Sequence, residues 1–476
     1  MAIIMGRLIT ARLERFGSRT ATVPSAHPVV NRKSSGNPWK PAGRLESNLR
    51  FRGDQTPNPL PSHNPSPIRE VQDYGAALTS GLPILALSRY GKAMDHTLAA
   101  TLTAWRRHLH AHPDLTLHEQ RTAAFVCEKL SELGVPFVAG VGGHGVVATL
   151  SRGQSNRSVG LRADLDALPI TETSGVPHAS TNPGVMHACG HDGHTTSLLG
   201  AAALLARDPS WSGTVQLVFQ PAEEGGGGAR SMIAEGLFER FPMERIFGYH
   251  NWPGLDAGTV AVHDSAVMAS GGRMEFRVTG HSGHAALPHL ARDPLVASAH
   301  LLLGLQTIVS RNVDPLDSAV ITVATIEAGS AANQIPGEAV MRGTMRTLRD
   351  VVCDQVEDAI RRVAAGVALS CDVTIDVALR RGNPVTQNSP AERDLAAEAT
   401  IAAGLPLRRD LLPAMTGEDF AWYLQQRPGA FVWIGNGSSE GGRELHNSNY
   451  DFNDAILPAA SGYLASVAKR ALGHSV

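Results

Sequence analysis

From residue 95 onward, apolar positions recur with regular spacing. Leu98, Leu102, Trp105 and Leu109 share one face at helical spacing, which predicts an amphipathic helix over 95–112, capped by Asp95 and stopped by Pro113. A second helix is expected over 120–133, ended by Gly134. Short apolar strands at 146–150, 158–161 and 214–219 alternate with helices at 194–206 and 227–235. That alternation is the pattern of an α/β layered domain.

Residues 272–382 carry a different rhythm. A strand at 273–279, a helix at 293–310, strands at 319–326 and 339–346, a helix at 350–368 and a strand at 372–378 give a β-α-β-β-α-β order. This is the ferredoxin-like arrangement. The α/β pattern then resumes with helices near 391–403 and 418–425, a strand at 430–434 and a closing helix at 454–472. The expected architecture is an α/β domain in two segments, 94–271 and 383–476, with a mixed sheet flanked by helices. A ferredoxin-like unit, 272–382, is inserted between them. No internal repeats are visible.

Residues 1–93 lack this periodicity and are rich in Arg, Ser, Pro and Asn, with few acids. They are expected to be a disordered or non-native extension, with Met94 as a start point for the folded chain. An Arg-rich, acid-poor targeting segment is the alternative. There is no good apolar stretch before a cleavage signal, so secretion is not expected.

Composition narrows the function classes. The chain has 476 residues, 43% hydrophobic and 18% charged, with a formal net charge of −2. That balance gives no reason to expect nucleic acid or an anionic membrane as partner. No apolar run approaches the roughly 18 residues needed to span a bilayer. Four cysteines in so long a chain are no disulfide framework, and a reducing, cytoplasmic setting is expected.

The chemistry concentrates in residues 186–194, Met-His-Ala-Cys-Gly-His-Asp-Gly-His. Cys189 alone reads as a small buried hydrophobe and His191 alone as a surface loop residue. Crowded together between strand and helix, they read as ligands for a borderline divalent ion. Glycines at 190 and 193 permit the tight loop this needs. Glu223 and Glu224 follow an apolar strand, and adjacent carboxylates repel unless a positive charge lies beside them. One suits a metal and the other a general base; a solvated charge pair is the simpler alternative. The glycine run 225–228 would let substrate approach the backbone. His250 and His446 are weak singly and gain weight from the set.

These stretches resemble a known family. Leu-Arg-Ala-Asp164-Leu-Asp166-Ala-Leu-Pro-Ile, the 186–194 block, Gln-Pro-Ala-Glu-Glu-Gly, His-Asn-Trp-Pro, Gly-His-Ser-Gly-His-Ala-Ala-Leu-Pro-His and Gly-Glu-Asp-Phe stand in order. Together they resemble the amidohydrolase branch of the aminoacylase and carboxypeptidase G metallopeptidase superfamily, over residues 94–473. The resemblance implies two divalent ions per subunit, zinc or manganese, with cobalt also accepted. It implies that Cys189 bridges them, with His191, Glu224, His250 and His446 completing the set. Glu223 is then the general acid and base. The resemblance makes the two-segment domain catalytic and the 272–382 unit a lid and dimerisation domain, from which His284 reaches the site of a partner subunit in a homodimer and stabilises the oxyanion. Asn333 and Arg346 hold the substrate, Arg346 as a carboxylate clamp; an exposed strand arginine is the alternative. Asp164, Asp166, His187, Asp192 and His194 are candidates for orienting the ligands. Asn447-Ser448 stands where the family usually has Asn-Pro, and a looser loop is expected there.

The implied reaction is hydrolysis of the amide bond of an N-acyl amino acid, a hippurate-like small molecule. Dipeptides or N-carbamoyl amino acids are alternative substrates on the same scaffold. A silent binding protein is disfavoured by the intact glutamate pair. A purely structural metal is disfavoured because such sites use four ligands and no adjacent free base.

Overall fold

The computed structural model describes residues 96–474, all within one compact unit, Thr79–Val476. The expectations for residues 1–93, for Met94 and for Asp95 as a cap lie outside the described residues.

An eight-stranded mixed sheet forms the larger layer. Its strands run in the order Phe137–Val141, Gly145–Arg152, Gly213–Gln220, Ser158–Asp164, Ile246–Pro253, Gly429–Gly437, Val260–Ala261, Leu407–Arg408. The four from Gly213–Gln220 to Gly429–Gly437 are parallel to one another. Their near-continuous burial explains why they read as plain apolar runs. Side chains alternate between the faces. Phe247, Tyr249, Val432 and Ile434 join one core, with helices His191–Arg207 and Leu457–Ala471. Ile246, Phe431 and Trp433 join the other, with Met232, Phe420 and Tyr423. The first helix, His96–Ala111, buries Leu98, Leu102 and Leu109 as expected, and also Arg106 and His110, which the apolar pattern does not announce.

A second sheet occupies the sequence between the two halves of the first. Ala319–Ala328, Glu338–Thr347, Ser270–Thr279 and Thr374–Arg381 pair antiparallel in that order. Helices Pro294–Arg311 and Asp350–Cys371 cover one face, packing on Met274, Phe276, Met341 and Met345. The order of elements is the expected β-α-β-β-α-β. Asp293 caps the first of these helices by accepting from the amides of Leu295 and Val296. Ala266–Met268 pairs with Thr386–Gln387 where the chain enters and leaves this layer.

Three expectations are revised. Strand Phe137–Val141 was not anticipated, because its middle positions are exposed. The expected helix over 418–425 shrinks to Ala421–Leu424, because Glu418 and Asp419 are drawn into buried hydrogen bonds. The 225–228 glycines divide: Gly225 and Gly227 have open space beside them, while a side chain at Gly226 or Gly228 would overlap Ala222 or Pro221 of the same turn. Among the described residues, no helix is long and apolar enough to cross a membrane.

Candidate functional site

Cys189 lies immediately before helix His191–Arg207. Gly190 has φ of 92°, and a side chain there would overlap Asn251 and Tyr450. Gly193 lies against the ring of Phe452. The chain can therefore turn straight from Cys189 into the helix, which begins at His191 rather than at 194.

Two ligand trios meet at Cys189. Its thiol, His191 and His250 form one; its thiol, Glu224 and His446 form the other. In each, the candidate ligand atoms all lie within 4.8 Å of one another. Cys189 Sγ is 3.3 Å from His250 Nε2. His250 Nδ1 donates to the Asn251 carbonyl at 2.7 Å, and His191 Nδ1 donates to the Asp166 carbonyl at 2.9 Å. A carbonyl only accepts, so both rings carry a proton on Nδ1, and Nε2 is the nitrogen left for a metal ion. His191 Nε2 is buried and has no hydrogen-bond partner.

Asp166 holds the glutamate pair. One of its oxygens accepts the Glu223 amide at 3.1 Å and the other the Glu224 amide at 2.9 Å. Glu119 accepts the amide of Ala222, which sits at a φ of 54°, so the turn after strand Gly213–Gln220 is clamped from both sides. Glu224 Oε1 is buried without a hydrogen bond and lies 3.1 Å from His446 Nε2. His446 takes a φ of 62°, and its amide donates to the Ala188 carbonyl at 2.8 Å. The loop after it is not loose: Thr173 donates to both the carbonyl and the hydroxyl of Ser448 at 2.8 and 2.7 Å.

Other nearby groups are used structurally. His194 donates through Nδ1 to Asp164 at 2.7 Å and accepts the Asn251 amide at 3.0 Å. Asp192 pairs with His110 at 2.8 Å. His187 is buried with neither ring nitrogen bonded. Three residues escaped the sequence reading as site components. Buried Arg162 donates to Gln220, Asp164, Glu418 and Asp419 at 2.7–3.0 Å. Glu418 and Asp419 in turn lie beside Glu223, with carboxylate oxygens within 4.8 Å. The Leu-Arg-Ala-Asp and Gly-Glu-Asp-Phe motifs carried that signal, but residues 256 positions apart in sequence meet only in the fold.

The electrostatics suit a cation. Burial disfavours charge on His191, yet Asp164 and Asp166 outweigh it and push its pKa up to about 10. A field that holds a proton so firmly also attracts a dication. Burial, then His194, depresses His250 well below the usual histidine range, leaving it a neutral donor. Burial, Glu224 and Glu223 push the Cys189 thiol well up, so a thiolate there requires a cation beside it. Burial, Glu418 and Glu224 raise Glu223 well above the carboxylate range. The orphaned Nε2 of His191, the orphaned Glu224 oxygen and the soft and borderline donors together fit divalent metal ions.

The three residues expected to act from the inserted segment 272–382 are not among these ligands. His284 is exposed; its Nδ1 accepts the Ala286 amide at 3.0 Å. Asn333 is exposed next to Gln334, the residue paired with His284. Arg346 is half-buried on strand Glu338–Thr347 and donates to the Met345 carbonyl at 2.9 Å. Among the described residues, no hydrogen bond or ion pair joins any of the three to the ligand trios.

With the α/β layers and this metal-binding cluster in view, the comparisons define a class. Residues 160–470 match the model of peptidase family M20/M25/M40. The chain is 39% identical to a hippurate hydrolase of Campylobacter jejuni over 369 residues, 77% of this chain and 95% of that one. It is 38% identical to an N-acetyl-L-cysteine deacetylase of Bacillus subtilis, over 83% of this chain and 94% of the relative. A crystal structure of a dinuclear metal-binding M20 peptidase from Bacillus subtilis superposes with a TM-score of 0.72 at 33% identity, covering 80% of this chain and all of that one. The chain belongs to peptidase family M20/M25/M40 and is a metal-binding hydrolase.

Proposed function

We propose that this protein is an N-acyl-amino-acid amidohydrolase that cleaves the amide bond of hippurate-like conjugates to a carboxylic acid and a free amino acid. The observation that carries this reading is Cys189 at the meeting point of two ligand trios, with the Glu223 carboxylate within 4.8 Å of His191 and Glu224. Cys189, His191 and His250 would hold one divalent ion, and Cys189, Glu224 and His446 the other, as zinc or manganese, with cobalt also accepted. When bound, such ions polarise the scissile carbonyl and acidify a water.

The protein's own groups do the rest. Glu223 takes a proton from the attacking water on its carboxylate and returns it to the leaving nitrogen as the C–N bond breaks. Burial and the neighbouring carboxylates Glu418 and Glu224 raise its pKa, the direction that makes a carboxylate a better proton acceptor. Arg162, bonded to Asp164, Glu418 and Asp419, tempers the negative charge around it. Arg346 clamps the α-carboxylate and Asn333 holds the substrate backbone. His284 stabilises the oxyanion from the lid of a second copy of the chain. The lid strand Ala319–Ala328 is a largely exposed sheet edge, which suits a homodimer formed by sheet extension.

The test is hydrolysis of N-acetyl, N-benzoyl and N-indoleacetyl amino acids and dipeptides, after loading with zinc, manganese or cobalt, alongside metal counting. Release of amino acid from acyl conjugates, abolished by chelator, with two ions bound per chain, is the expected result. Cleavage of dipeptides alone would overturn the substrate assignment.

A further inference from the structure

We propose that Glu119 is a positioning residue for Glu223, which it holds through the backbone of the turn before it. The inference rests on the amidohydrolase reading, in which Glu223 moves the proton, and adds a residue that reading does not use. Glu119 is buried immediately before helix Gln120–Glu132. Its Oε1 accepts two amides, that of Leu117 at 2.8 Å and that of Ala222 at 2.9 Å. Leu117 and Ala222 both take left-handed backbone angles, with φ of 69° and 54°, where any residue with a Cβ is strained. One carboxylate oxygen thus pins two strained positions, and the second of them adjoins Glu223. Such conformations persist only where the surroundings enforce them, and they gather at active sites.

The loop that carries Glu119 is a firm support. Asp114 accepts the amides of Arg121 and Thr122 at 2.7 and 3.0 Å, and its carbonyl accepts the Ala167 amide at 2.8 Å. Thr116 donates its hydroxyl at 2.8 Å to Asp166, which grips the amides of Glu223 and Glu224. A side chain at Gly226 would come within 2.7 Å of the Thr116 methyl, so the turn seats directly on this loop. The Glu223 carboxylate accepts the Asp419 amide at 3.3 Å, a weak hold. Its place therefore depends on the turn beneath it, and a misplacement of about 1 Å at a reacting group costs about 10²-fold in rate. The second oxygen of Glu119, Oε2, is buried without a hydrogen bond, and burial pushes the pKa of this carboxyl up. The role therefore needs an acceptor oxygen and not a charge, and glutamine supplies that oxygen.

The experiment compares metal-loaded wild type, Glu119→Gln and Glu119→Ala on N-acyl amino acids. Metal content and amide hydrogen exchange of residues 222–225 are measured in each. In Glu119→Ala, kcat is expected to fall about 10²-fold while KM and metal content stay near wild type. Exchange at the turn should quicken in the same variant. Glu119→Gln should restore both kcat and slow exchange. A Glu119→Ala enzyme with wild-type kcat would overturn the proposal, as would a Glu119→Gln enzyme as impaired as Glu119→Ala. Loss of metal in step with kcat would assign Glu119 to the ligand set and overturn its link to Glu223. If Glu119→Ala does not fold, Glu119→Asp, shorter by one methylene, takes its place under the same criteria. If wild type hydrolyses none of the substrates, the parent reading fails on its own. Exchange then decides the clamp: a turn equally protected in wild type and Glu119→Ala overturns it, and a turn loosened in Glu119→Ala and restored in Glu119→Gln supports it.

Discussion

The ligand cluster and the lid residues are built on opposite principles. Around Cys189, nearly every polar atom is held by another: Asp166 grips two amides, Asn251 fixes Cys189 and His194, and Arg162 spans three carboxylates. Among the candidate ligand atoms there, His191 Nε2 and Glu224 Oε1 are buried without a hydrogen bond and match a cation. In the lid, His284 and Asn333 are exposed, and Arg346 makes one bond to a neighbouring carbonyl. A preorganised site tolerates little change, while exposed side chains with few partners can be replaced at little cost to the fold.

The sharpest test of the cluster is Glu223→Gln. It should retain both metal ions and lose turnover about 10³-fold, because proton transfer is removed and no ligand is. Measured kcat with metal counting checks it, and a fully active variant breaks the assignment. Next comes Asp166→Ala, which frees the amides of Glu223 and Glu224. Metal affinity and kcat should fall by roughly 10–100-fold, as for other ligand-orienting groups, read by competition with a chelating dye.

In the lid, Arg346→Ala should raise KM roughly tenfold for substrates with a free α-carboxylate, the loss of a charged hydrogen bond. Its melting temperature and metal content should stay at wild-type values. A matching loss on an amidated substrate would sever Arg346 from the carboxylate. The smallest expected effect lies at the margin of the cluster, where His110 pairs with Asp192. His110 is opposed by burial, but hydrogen bonds to Asp192 and Glu172 lift its pKa to about 9, against the usual 6.5. A raised histidine pKa stabilises the fold fully below pH 6.5, and that contribution is lost as pH rises through 9. Thermal melts from pH 6 to 10 should show a fall of several degrees in wild type that His110→Gln lacks.

Much of this was legible in the chain because it is local. Helical spacing placed Leu98, Leu102 and Leu109 in the core. The β-α-β-β-α-β order followed from runs of apolar residues whose period changes between two and 3.6. Cys189, His191, Glu223 and Glu224 stood out because donor atoms crowd into short stretches. The limits were equally physical. Residues 418–425 have helical composition, yet the pull of buried Arg162 on Glu418 and Asp419 outweighs a weak local preference. Apolar spacing gave no sign that Arg106 and His110 are buried, because the carboxylates they pair with, Asp192, Asp451 and Asp454, come from distant segments.

The sequence alone determined which residues can ligate a metal, which elements form, and that one α/β unit is interrupted by another. Side-chain chemistry and periodicity are written position by position, and no partner is needed to read them. Tertiary structure decided which histidine nitrogen is free, how Asp166 holds the glutamates, and that Arg162 meets Glu418 and Asp419 beside Glu223. Those depend on strand register and on contacts between residues hundreds of positions apart, whose geometry exists only once the sheet has assembled.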